Sequence, residues 1–246
     1  MTPEADTPTL LAFFAHPDDE AFSCAGTLAA AASAGIDVGL ICATRGERGR
    51  DRDSGATGDV LARVRERELH ASCAALGIRP PIVLGLPDGG LEEGVEALGS
   101  ALAAELERLN PAAVITLGYD GAYGHRDHLA CTRALEAVAT SRDLTVLHVV
   151  FPADLFTELR RRLSGAPVPL APPPETPAPV DYRVGTRAFR RQKLSAIAAH
   201  RSQLLDADPM SFLLPGLVEP LLDEECFAHA SGPALDEPLS DLFGGA

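Results

Sequence analysis

Two short clusters carry the residue types and spacings that could do chemistry. The first, His16-Pro17-Asp18-Asp19-Glu20, follows the apolar run Leu10-Leu11-Ala12-Phe13-Phe14-Ala15 without a break. A histidine and three carboxylates within five residues form a nitrogen-and-oxygen donor set that suits a divalent metal such as zinc. A solvated turn with Asp18 or Asp19 as a helix N-cap is the other reading. The second cluster, His125-Arg126-Asp127-His128, comes after Gly118-Tyr119-Asp120-Gly121-Ala122-Tyr123-Gly124, which reads as a turn or loop. His125 and His128 are three apart and share one face of any helix that begins there.

The elements around the clusters decide whether they can meet. Residues 10–15 read as a strand buried on both faces, and Pro17, lacking an amide hydrogen, favours ending the ladder there. Further strands are predicted over 37–44, 81–86, 112–117 and 144–150, alternating with helices over 21–34, 60–76, 92–109 and 128–139. This alternation implies an α/β, Rossmann-like, doubly wound and mostly parallel sheet with helices on both faces. In the order 3-2-1-4-5, strands one and four are neighbours where the order reverses, and ligands sit beyond the carboxyl ends at that point. His16, Asp19 and His128 can therefore converge on one ion.

At 246 residues the chain is long enough for one large α/β domain. A net charge of −14 argues against a nucleic-acid partner, which needs a basic face, but a local arginine group can still oppose the global sign toward a small anion. The five cysteines have no metal-ligand spacing and read as free thiols of a reducing compartment. The polar, acidic first nine residues lack a signal core, and no apolar run reaches the roughly 20 residues of a membrane span. The expectation is a cytoplasmic protein; nothing sets an oligomeric state.

Residues 45–58 place Arg45, Arg48, Arg50 and Arg52 among glycines and acids, either a solvated loop or a flexible basic rim on the same edge as the clusters. Arg65 and Glu68, three apart, have the spacing of a surface ion pair, and Asp88 beside glycine is a usual turn aspartate. His148 reads as a satisfied histidine of the sheet. Seven prolines between 167 and 179 exclude helix or central strand and suggest an exposed insertion, 166–180, in a single domain over 1–246. Two domains are the alternative. A helix over 187–205 carries His200 and Gln203, and the tail 206–246 is a C-terminal extension with no assigned place.

The two clusters, Ala15-His16-Pro17-Asp18-Asp19-Glu20 and Tyr123-Gly124-His125-Arg126-Asp127-His128, resemble those of the zinc-dependent N-acetylglucosaminyl deacetylases of the PIG-L/LmbE-like family. Thr44-Arg45-Gly46-Glu47, Arg65 with Glu68, Leu84-Gly85-Leu86-Pro87-Asp88 and Ala199-His200-Arg201-Ser202-Gln203 extend the likeness, while Arg126 stands where the family often has proline. The resemblance implies zinc, with ferrous iron the alternative in the cell, held by His16, Asp19 and His128. It implies Asp18 as base, His125 as acid with Asp127 orienting it, Tyr123 as oxyanion donor, and Arg65 and Asp88 as substrate contacts. The implied partner is a small N-acetylglucosamine conjugate of inositol, malate, a lipid or an antibiotic core, cleaved to acetate and a free amine. An amidase acting on a thiol-sugar conjugate, and a metal- or sugar-binding protein without turnover, are the competing readings.

Overall fold

The computed structural model describes residues 9–165 and 170–244. The start of the polar N-terminal stretch and residues 166–169 of the proline-rich insertion lie outside the described residues. Five parallel strands, β1 (Leu10–Phe14), β2 (Val38–Thr44), β3 (Ile82–Leu86), β4 (Ala113–Leu117) and β5 (Thr145–Val150), stand in the order β3-β2-β1-β4-β5. That five-strand order is incomplete. The sheet continues with β7 (Glu224–Ser231), antiparallel to β5, and β6 (Tyr182–Gly185), antiparallel to β7, so the full order is β3-β2-β1-β4-β5-β7-β6. The tail with no assigned place supplies β7 and packs Phe212, Leu217, Val218, Leu221 and Phe227 into the core.

β1 shows why the sheet is central. Its five residues are at most 1% exposed, and alternate side chains serve two different cores. Leu10, Ala12 and Phe14 face α1 (Asp19–Ser23), α2 (Ala25–Ser33), α3 (Gly58–Leu76) and the later α8 (Arg190–Ala199). Leu11 and Phe13 face Leu98, Leu102 and Leu106 of α4 (Val95–Leu109) and Ala134 and Leu135 of α6 (Arg126–Ala139). Between β4 and α6 lies α5 (Gly121–Gly124), a distorted single turn; α7 (Thr157–Leu163) follows β5, and α9 (Leu239–Phe243) closes the described chain. No described helix is long and apolar enough to cross a membrane.

Two predicted helices are divided. The helix over 21–34 breaks at Cys24 into α1 and α2, because a distant residue occupies the second start. Glu225 of β7 accepts from the Gly26 and Thr27 amides at 3.0 and 2.7 Å, taking up two of the donors that every helix N-terminus leaves over. Lys193 neutralises that carboxylate at 2.5 Å, with both side chains 1% exposed. The helix over 187–205 ends at Ala199 and continues as a 3-10 turn over Arg201–Gln203, so His200 and Gln203 do not share a helix. His200 instead turns inward toward the first cluster.

Candidate metal centre and active site

The two clusters meet beyond the carboxyl ends of β1 and β4. His16 Nδ1 lies 3.2 Å from His128 Nε2 and 3.6 Å from Asp19 Oδ2, and His128 Nε2 lies 3.2 Å from Asp19 Oδ1. Two ligand atoms each about 2 Å from a tetrahedral ion are about 3.3 Å apart, so the two histidine nitrogens, and each of them with a different oxygen of Asp19, stand at the separations of a metal's ligands. His125 also offers a ring nitrogen within 4.8 Å of those of His16 and His128.

Both histidines are oriented from behind. His128 Nδ1 sits 3.0 Å from the Gly121 carbonyl, so a proton there leaves Nε2 free to ligate. His16 Nε2 lies 3.1 Å from Asp88 Oδ1 and 3.3 Å from Asp127 Oδ2, which places its proton on Nε2 and turns Nδ1 toward Asp19 and His128. Asp127 therefore serves His16, whereas the sequence reading has it orienting His125. Its carboxylate is also fixed by the amides of Gly89, 2.6 Å, and Leu91, 3.2 Å, while the His125 side chain caps α6 by accepting from the Asp127 amide at 3.2 Å.

Arg65 and Glu68 are not a surface pair. Arg65 is 5% exposed and spends its two Nη groups on the Gly46 and Pro17 carbonyls and on Asp18 Oδ2, the last at 2.9 Å. Glu68 accepts from the amide and hydroxyl of Ser202, both at 2.7 Å. Asp88, 8% exposed, is likewise engaged within the protein, accepting from the Arg48 amide at 2.8 Å and donating its own amide to Glu47 Oε1 at 2.8 Å. These two contacts dock the arginine-rich loop on the site, with Arg45 and Arg50 left exposed at its rim. His148 is in β5, its Nε2 3.1 Å from Glu136 Oε1, apart from the cluster.

Four carboxylates, those of Asp18, Asp19, Asp88 and Asp127, face one permanent cation, Arg65, in a buried space. The surplus negative charge fits a bound cation. Burial pushes the Asp18 carboxyl up to about 6 against the pull of Arg65. Burial also acts to raise Asp19, but His128 and His16 outweigh it and hold that carboxyl well below its ordinary range. For His16 burial acts downward, and the carboxylates of Asp127, Asp19 and Asp88 prevail and raise it. Burial and the neighbouring His128 push His125 down to about 3, and burial keeps the Tyr123 phenol protonated.

The family model described as GlcNAc-PI de-N-acetylase, PIG-L, matches residues 11–139, the span that contains both clusters. The chain belongs to the PIG-L family. A 1D-myo-inositol 2-acetamido-2-deoxy-alpha-D-glucopyranoside deacetylase of Nakamurella multipartita is 33% identical, covering 97% of this chain and 89% of that one. A probable N-acetyl-alpha-D-glucosaminyl L-malate deacetylase of Bacillus cereus is 32% identical over 79% of this chain and 83% of that one. Among solved structures, a conserved protein of Thermus thermophilus matches with TM-score 0.63 and 27% identity, covering 94% of this chain and 98% of that one.

Within this PIG-L chain, sequence reasoning misses the residue beneath Asp18. Asp18 holds a backbone φ of 109°, which a non-glycine residue rarely adopts. Glu20 stabilises the turn by accepting from the Asp18 amide at 3.1 Å, and is fixed by Ser72 at 2.6 Å and His200 at 2.7 Å. Three charged residues in a row leave open which of them turn inward; Asp19 at 3% exposure and Glu20 at 1% both do.

Proposed function

We propose that this chain hydrolyses the N-acetyl amide of an N-acetylglucosamine conjugate, releasing acetate and a free amine. The reading is carried by the His16, Asp19 and His128 triangle, with separations of 3.2–3.6 Å, standing beside Asp18 at the sheet's switch point. Those three residues would hold a divalent metal, zinc or ferrous iron. When bound, such an ion acidifies water and polarises the amide carbonyl.

Every other step falls to the protein's own groups. Asp18, held by Arg65 at 2.9 Å, takes the proton of the attacking water. Tyr123, whose ring packs 5.6 Å from that of His128, donates its hydroxyl to the oxyanion that forms at the acetyl carbon. His125, stacked at 4.7 Å on His128, is a neutral imidazole whose Nδ1 accepts from the Asp127 amide; it gives its Nε2 proton to the departing nitrogen and is restored by the proton that Asp18 took from water. Asp127 and Asp88 position His16 through Nε2, and Arg65 positions Asp18; their burial favours these roles over direct substrate contact.

Amine release from a panel of N-acetylglucosamine conjugates by zinc-loaded protein tests the proposal. The inositol and malate conjugates come first, because relatives named above act on them. Chelator-sensitive release from at least one conjugate is expected. Silence across the panel with zinc bound would overturn it.

A further inference from the structure

The turn that carries Tyr123 and leads into His125 is gripped from outside by α7. Phe156, the residue just before α7, and Arg160, one turn on within it, both act on Tyr123. The Phe156 ring packs 5.9 Å from the Tyr123 ring, and Arg160 Nη1 donates to the Tyr123 carbonyl at 2.7 Å. Arg160 Nη2 donates to the Ala171 carbonyl at 2.7 Å, and the Ala171 amide donates to the Gly124 carbonyl at 2.8 Å. Gly124 has φ +89°, and a Cβ there would lie 2.5 Å from both the Ala171 oxygen and Arg160 Nη1. Only glycine leaves this three-way clamp intact.

Through Ala171 the clamp takes hold of the proline-rich segment, irregular over 170–181 and exposed over 172–179. Proline fixes backbone rotation, so such a segment transmits a tether instead of absorbing it. We propose that Arg160 is a positioning residue for the Tyr123–His125 turn, which it fastens to the proline-rich segment through Ala171. Its kinetic consequence rests on the deacetylase reading.

The test uses Arg160→Ala in the full chain, with Arg160→Lys as the variant should the first not fold. Hydrogen exchange is followed in both segments, 121–125 and 170–180. Loss of the clamp accelerates exchange in the two together, whereas acceleration in one alone or in neither overturns the proposal. Kinetics add a readout that a merely structural role would not move. Turnover of a conjugate that the native protein cleaves falls about tenfold while metal content and KM change less, since small misplacements of catalytic groups carry penalties of this order or more. Unchanged turnover overturns the positioning role. If the unaltered protein releases amine from no conjugate of the panel, the deacetylase reading fails, and the exchange result still decides the clamp.

Discussion

Asp18 concentrates the account at the residue scale. Its φ of 109° aims the carboxylate at Arg65 while Asp19, next in sequence, turns toward His128. Asparagine tolerates this backbone region, so Asp18→Asn isolates the chemistry from the turn. Metal content should stay at the native level and turnover should fall by about 10²–10⁴, the usual worth of a positioned base. Full activity in that variant would remove Asp18 as the base. His128→Ala, in contrast, should lose metal on dialysis; undiminished metal content, read by elemental analysis, would remove the third ligand.

The residues proposed as ligands are legible in the sequence as neighbours because each cluster is local and the strand before it sets its place. Partners are less legible. Asp127 sits two residues from His125 and one from His128, yet its carboxylate reaches His16, 111 positions away, since the amides of Gly89 and Leu91 turn it there. Arg65 presents the same problem: helical spacing points to Glu68, and the fold gives it Asp18.

At the scale of elements, the break at Cys24 links the site to the end of the chain. The short α1 carries Asp19 and Glu20, and α2 starts only where Glu225 of β7 can receive its amides. Lys193→Met leaves that carboxylate buried without its counter-charge. Removing one partner of such a pair costs about 3–5 kcal/mol, measurable by urea unfolding, and a loss below about 1 kcal/mol would show that the pair does not hold the junction. Helix patterns could not reveal this break, because the residue that caps α2 is 198 positions from Thr27. In the core itself, Phe13→Ala should cost about 3–5 kcal/mol by the same measurement, since Phe13 is fully buried in β1.

For the whole molecule, the parallel half of the sheet follows from strand and helix alternation, whereas the antiparallel half does not. β6 and β7 are separated by α8 and a run of short 3-10 turns and pair with each other through contacts such as Tyr182 with Phe227, so periodicity alone leaves them without an address. The triangle proposed to hold the metal joins the end of β1 to α6, and an ion bound there should therefore brace the folded state. With free zinc at about 100 times its dissociation constant the gain is about 2.7 kcal/mol, so chelation should lower the melting temperature. An unchanged melting temperature would mean that the ion does not join these elements.

The most direct test of the central claim strips the protein of metal and returns zinc in steps, following acetate release from an N-acetylglucosamine conjugate that the native protein cleaves. Activity should vanish on stripping, return in proportion to added zinc, and level off near one equivalent per chain; the same titration of the Asp18→Asn protein should restore metal without activity. Acetate release that survives complete stripping, or that returns equally in the Asp18→Asn protein, would contradict metal-dependent deacetylation at this site.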